Sequence, residues 1–138
     1  MKTITIITVF LLSMSLWSCT DNSDDESCVY DDCVTLYPTH GTLTVKVNFD
    51  THNSKVPIQI YSGYYDTGEL IREDTLMGEK KDYVLPSGVY YTVAAKYKTD
   101  GMDIVVIDGD KIDVNSRKEC DSTCYSVTDA SINVKLQY

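Results

Sequence analysis

From Thr42 onward the chain alternates apolar and polar residues. Leu43, Val45, Val47 and Phe49 are interleaved with Thr44, Lys46 and Asn48. A period of two places one set of side chains on one face, so this stretch predicts a strand with a single buried face. Val56, Ile58 and Ile60 repeat the pattern. Pro57 lacks an N–H and belongs at a strand start or an edge. Glu69 to Leu76 alternates less cleanly, with Leu70, Arg72, Asp74 and Leu76 on one side. Asp82 to Leu85 is a short strand closed by Pro86-Ser87-Gly88. Val89, Tyr91, Val93, Ala95 and Tyr97 predict the longest strand, a central one. Thr99-Asp100-Gly101 then predicts a hairpin, because Asp-Gly tolerates positive φ. Ile104 to Ile107 is unbroken apolar sequence, suited to a strand buried on both faces or at an overhang. Asp108-Gly109-Asp110 reads as a turn, and Ile112 and Val114 as a short strand. Ile132, Val134, Leu136 and Tyr138 alternate to the last residue and predict a strand pinned in a sheet. No segment carries a helical period. Short strands separated by turn signals predict an all-β sandwich or barrel.

The N-terminal pattern is different. Lys2 precedes an apolar run from Ile4 to Leu16, followed by Trp17-Ser18-Cys19. A charged start, a short apolar core and a small residue before a cut are the parts of a secretory signal peptide. The run is short of the roughly 20 apolar residues that span a bilayer. Leu16-Trp17-Ser18-Cys19 resembles a bacterial lipobox. That resemblance implies a signal peptide over residues 1–18 and acylation of Cys19, as in outer-membrane lipoproteins. Thr20 to Ser27 is polar and acidic, too poor in apolar residues to order itself, and reads as a disordered tether. Its acidic cluster resembles the export signal of surface-exposed lipoproteins of certain Gram-negative bacteria, which implies display on the outer face, with the periplasm-facing orientation as the alternative. The expected organisation is residues 1–18 as signal, 19–40 as tether and short Cys-containing segment, and 41–138 as one β-sandwich domain.

Within that domain, Leu85-Pro86-Ser87-Gly88-Val89-Tyr90-Tyr91-Thr92-Val93 joins a strand end, a Pro-x-Gly turn and a Tyr-rich strand. Together with Gly41 to Val45 and Val56 to Tyr61, it resembles the prealbumin-like (transthyretin-like), carboxypeptidase-regulatory-like sandwiches. The resemblance covers about residues 41–98 and implies seven to eight antiparallel strands in a binding or structural module rather than an enzyme.

Charge and cysteines sharpen this picture. The formal net charge of −9 becomes one unit more negative when Lys2 leaves with the signal. Such a surface disfavours nucleic acid, which needs Lys and Arg against its phosphates. It equally disfavours a peripheral grip on anionic headgroups, leaving acyl chains as the membrane anchor. With Cys19 set aside, Cys28, Cys33, Cys120 and Cys124 form an even set in an exported chain and are expected as disulfides. The short spacings and the turn residues between them favour local pairs, Cys28–Cys33 and Cys120–Cys124. Crossed pairs would instead close long loops and stabilise more. The spacings fit zinc poorly.

Candidate chemistry is sparse. His40 and His52, the two histidines, lie in predicted turns, and no nucleophile elbow, zincin motif or phosphate loop is present. No catalytic residue, metal or cofactor is expected. Asp108-Gly109-Asp110-Lys111-Ile112-Asp113 gathers three acids, but Lys111 and Ile112 break a calcium-loop pattern. The aromatic set is biased, with 11 Tyr against 1 Trp and 2 Phe. Strand propensity accounts for many of the tyrosines. Tyr64 and Tyr65 fall in a Gly-flanked loop, and Tyr90 points away from the face that Tyr91 buries. These three are the candidate ligand-binding residues, for a glycan or a surface protein. The expected function is a lipid-anchored, non-catalytic interaction module. The alternative is a structural, adhesin- or fimbria-like subunit that engages by strand pairing.

Overall fold

Leu43 and Val45, the first alternating apolar pair of the domain, lie on β1 (His40–Lys46) and are wholly buried, while Thr44 between them is partly exposed. The same rule builds the strands that follow. They are β2 (Val56–Ser62), β3 (Glu69–Leu76), β4 (Lys80–Pro86), β5 (Tyr90–Thr99), β6 (Met102–Lys111), β7 (Asp113–Glu119), β8 (Ser122–Thr128) and β9 (Ala130–Asn133). The computed structural model describes residues 32–137. The signal segment, Cys19, Cys28, the acidic tether and Tyr138 lie outside the described residues. Among those described, no helix is long and apolar enough to cross a membrane.

The strands form a three-stranded sheet in the order β4-β1-β9, a four-stranded sheet in the order β3-β2-β5-β6, and the hairpin β7-β8. The two larger sheets share one core. Leu43, Val45, Tyr83, Ala130 and Ile132 come from the first, and Ile58, Ile60, Tyr91, Val93 and Tyr97 from the second. The architecture is therefore all-β and sandwich-like. It has nine strands among the described residues instead of seven or eight. It is not wholly antiparallel either, because β9 runs parallel to β1, with Leu43 opposite Ala130 and Val45 opposite Ile132. The tail beyond β9 keeps the alternation: Val134 donates its N–H to Lys46 O at 3.0 Å. Asn48 then acts as a backbone substitute. Its Oδ1 accepts from Leu136 N at 2.7 Å and its Nδ2 donates to Leu136 O at 3.0 Å.

Several sequence expectations meet their physical test here. The Asp-Gly turn is present, with Asp100 and Gly101 at φ 49° and 81° between β5 and β6. Asp108-Gly109-Asp110, in contrast, is not a turn but the end of β6. Asp108 Oδ2 accepts from Asn133 N at 2.9 Å, and Asp110 Oδ2 accepts from Ser131 N at 2.8 Å. The two carboxylates replace the ladder that β6 and β9, lying in different sheets, do not share. They close one seam of the sandwich. Ile104 to Ile107 is not buried on both faces. Ile104 and Val106 pack against the core, whereas Val105 and Ile107 are each 44% exposed, because β6 is an edge strand with an open outer face. The uneven alternation of β3 has its cause in a register shift: Ile60 pairs with Arg72 but Tyr61 with Leu70. Ile71 is the extra residue of a bulge, and the bulge turns Leu70 to the face opposite Arg72.

The local cysteine pairs are overturned. Cys33 bonds to Cys124 across a separation of 91 residues. Cys120 is also disulfide-bonded. The reason is the β7-β8 hairpin, which periodicity missed because most of its side chains are polar and partly exposed. It turns at Cys120, whose φ is 50°. The segment before β1 lies along it: Val34 O accepts from Tyr125 N at 2.8 Å, and the Tyr37 and Tyr125 rings meet edge to face at 5.2 Å. Cys33 is thereby brought to Cys124, and Val34 makes a single bridge to Tyr125.

The other seam of the sandwich is polar. Asp74 Oδ2 accepts from Lys81 Nζ and from Tyr83 Oη, each at 2.7 Å, and the Arg72 guanidinium lies 5.5 Å from the Tyr83 ring centroid. These bonds to Lys81 and Tyr83 hold the Asp74 carboxyl at about 2 against an ordinary 3.8. A depressed carboxyl stabilises the fold fully above its ordinary value, and the contribution is lost as pH falls towards the folded-state value. Unfolding free energy is expected to drop by about 1–2 kcal/mol between pH 4.5 and 2 through this group, after allowance for solvent screening. Asp74→Asn should flatten that part of the profile, as measured by urea titration at several pH values. An unchanged slope would exclude Asp74 as its source.

Candidate ligand-binding face

Because Ile58 and Ile60 on β2 and Tyr91, Val93, Ala95 and Tyr97 on β5 face the core, the residues between them face the other way. Gln59, Tyr61, Tyr90, Thr92, Ala94 and Lys96 therefore lie on the outer face of the four-stranded sheet. Their cross-strand partners widen it: Gln59 stands opposite Glu73 and Ala94, Ala94 opposite Ile107, and Lys96 opposite Val105. Neither the other large sheet nor the β7-β8 hairpin is paired to this sheet.

A trough of about 590 Å³ lies on this face, lined by Pro57, Gln59, Tyr65, Glu73, Thr75, Ala94, Lys96 and Val105, with Ile58 and Asp74 beside them. That volume is within the range of small-molecule sites. Ala94 supplies the low point. It is only 4% exposed, small, and flanked by longer side chains on both neighbouring strands. Gln59 Nε2 donates to Glu73 Oε1 at 2.7 Å, and Tyr61 Oη donates to Gln59 Oε1 at 3.0 Å. This chain orients the amide and leaves further carboxylate lone pairs towards the trough. Burial, with Tyr65 and Glu73 nearby, raises the Tyr61 hydroxyl above its ordinary value, so it remains a donor at neutral pH.

The loop between β2 and β3 closes one end. Gly63 has φ 99°, its N–H bonds to Tyr90 O at 2.8 Å, and its carbonyl accepts from Thr92 Oγ1 at 2.7 Å. A Cβ on Gly68 would lie 2.6 Å from both Ser62 O and Tyr64 O, so only glycine permits this turn. The loop presents Tyr64, 66% exposed, and Tyr65, 39% exposed. Tyr64 rests against Tyr90 with ring centroids 4.8 Å apart, and Tyr65 meets Tyr61 edge to face at 5.2 Å. Tyr90 in turn lies across Gly109, where a Cβ would come within 2.7 Å of the Tyr90 Cζ.

The structure thus gathers the three sequence candidates, Tyr64, Tyr65 and Tyr90, at one end of one face. Tyr65 alone of the three lines the trough. Sequence reasoning missed Gln59, Glu73, Ala94 and Lys96. Alternation marked Gln59, Ala94 and Lys96 as outward-facing, but nothing in it said that no other sheet among the described residues covers this face. The histidines are elsewhere: His40 opens β1 and bonds to Thr39 Oγ1, and His52 bonds to Thr51 Oγ1. No set of three or more His, Cys, Asp or Glu side chains is placed to hold a metal among the described residues. Compared with known proteins, the chain matches no family model, no curated protein and no solved structure.

Proposed function

We propose that this protein is a non-catalytic binding module, anchored by a lipid on Cys19 and displayed at the outer face of a Gram-negative cell. The observation that carries the binding reading is the tyrosine-edged trough on a sheet face that no other sheet among the described residues covers. Rigid strands hold its floor and a glycine-shaped loop holds its rim, an arrangement that keeps a recognition surface in one conformation. The lipobox-like Leu16-Trp17-Ser18-Cys19 and the acidic residues after it support the anchor and the surface location. The two-sheet arrangement is compatible with a prealbumin-like module, to which the Leu85 to Val93 stretch is similar.

Strand pairing with another chain is the less favoured reading. The N–H groups of Ser131 and Asn133 on β9 are occupied by Asp110 and Asp108, β3 carries a bulge, and β4 carries Lys80, Lys81 and a terminal Pro86. These are devices that blunt sheet edges.

Two measurements test the proposal. Intact mass of the membrane-extracted protein should show an acylated Cys19, and Cys19→Ala should move the protein to the soluble fraction. A Cys19→Ala protein that stays in the membrane would overturn the anchor. For binding, immobilised full-length protein probed with surface glycans and with surface-protein extracts should retain a ligand. The Tyr64→Ala/Tyr65→Ala variant should retain at least about tenfold less, the loss expected for removing stacked rings from a site. Undiminished retention would move the site elsewhere.

A further inference from the structure

We infer that the trough takes a short, uncharged oligosaccharide, read by Gln59, Glu73 and Lys96 with Tyr65 as its stacking platform. This deepens the binding-module reading and rests on it. The trough mixes several chemistries. The low centre is apolar, made by Ala94 and Val105, while amide, carboxylate, hydroxyl and ammonium groups from Gln59, Glu73, Thr75 and Lys96 stand around it. A pyranose has the matching form, with C–H groups on its flat faces and hydroxyls at its edge that both donate and accept. Glu73 supplies acceptors, Lys96 supplies donors, and Gln59 supplies both.

The Gln59 amide is oriented before any ligand arrives. Its nitrogen is committed to Glu73 and its oxygen receives the Tyr61 hydroxyl. A site that hydrogen-bonds hydroxyls through such fixed groups discriminates strongly against ligands lacking them. Tyr65 meets Tyr61 edge to face, which holds a part-exposed ring at the trough wall instead of letting it fold flat.

Charge selects among saccharides. The chain carries a formal net charge of −9, and Glu73 places a carboxylate within the trough itself. Uronate- or sulfate-bearing chains would be repelled at long range by the net negative charge, and at close range Glu73 offsets the attraction of Lys96. An apolar protein side chain would leave the Gln59, Glu73 and Lys96 groups dehydrated without partners, which costs affinity. An uncharged sugar chain has neither fault.

The experiment uses the full chain on an array of short neutral oligosaccharides, uronate oligosaccharides and surface-protein fragments. Three variants are compared with the parent. Tyr65→Ala removes the platform, Glu73→Gln removes the carboxylate, and Ala94→Gln fills the low centre from the outer face. Circular dichroism confirms that each remains folded. Binding to neutral oligosaccharides, weakened about tenfold or more by each variant, is the expected result. Binding to uronates or protein fragments that the same variants weaken would overturn the saccharide inference while leaving this face as a binding site. Neutral-sugar binding unaffected by all three would overturn the placement on this face. Absence of binding to every class on the array would overturn the inference.

Discussion

The double variant Cys33→Ala/Cys124→Ala is expected to lose about 2 kcal/mol of unfolding free energy, less than the roughly 4 kcal/mol of an isolated 91-residue loop because the bond at Cys120 persists. The two residues are 91 apart in sequence, and their bond tightens a part of the unfolded chain that the neighbouring Cys120 bond also restricts. Cys124 is 3% exposed, and a methyl group fills much of its place without burying a new polar atom. Replacing both partners leaves no new odd thiol to disturb the bond at Cys120. Urea unfolding checks the effect through the extrapolated free energy, with the slope fitted separately for parent and variant. A loss below about 1 kcal/mol would show that the loop is already closed in the unfolded ensemble. The trough belongs to the four-stranded sheet, and the disulfide fastens the segment before β1 to the hairpin. Ligand retention should therefore survive in the folded fraction.

Ile132→Ala is the second large effect, expected at about 3 kcal/mol. Ile132 is fully buried on β9, opposite Val45 of β1. Its side chain helps cover the end of the core where the chain returns from the hairpin. Truncation removes the apolar contacts and leaves a space that paired strands on one side and the second sheet on the other cannot collapse to fill. It also loosens the strand whose N–H groups occupy the seam carboxylates of Asp108 and Asp110. Val84→Ala is the comparison. Val84 is 74% exposed on β4, and its truncation should change stability by no more than about 0.5 kcal/mol. Equal effects at the two positions would remove β9 from the core.

Both predictions depend on features that differ in how far the sequence reveals them. The apolar identity of Ile132 and its inward direction were legible, since Ile132, Val134 and Leu136 alternate with polar residues. Its neighbour was not. Alternation states which residues share a face, but it contains nothing about which strand lies alongside or in which direction. The parallel β1-β9 pair was accordingly invisible. The cysteines show the same division. An even set of cysteines beyond Cys19, read with the expected export signal, implied disulfides, yet short spacings pointed to the wrong partners. The pairing is decided by the hairpin, whose polar strands carry no apolar rhythm to detect.

The candidate face follows the same logic. Tyr64 and Tyr65 stood out because aromatic residues in a glycine-flanked loop have no core to fill. Tyr90 stood out because Tyr91 takes the inward position. Their association needed the Gly63 carbonyl to accept the Thr92 hydroxyl and so draw the loop over β5. Glu73 comes to Gln59 only through the β2-β3 register, which a bulge at Ile71 shifts. The acids Asp108 and Asp110 looked like turn residues because Gly109 lies between them. In the fold, that glycine makes room for Tyr90 and the acids serve β9.

What the chain determines by itself is the periodicity of its apolar residues, and with it the strand class, the inward set of side chains and several of the turns, since these depend only on neighbours along the backbone. The tertiary structure alone decided strand partners, disulfide partners and which sheet face stays open, because each depends on distances between residues far apart in sequence. Those distances are set by the packing of two sheets on a shared core.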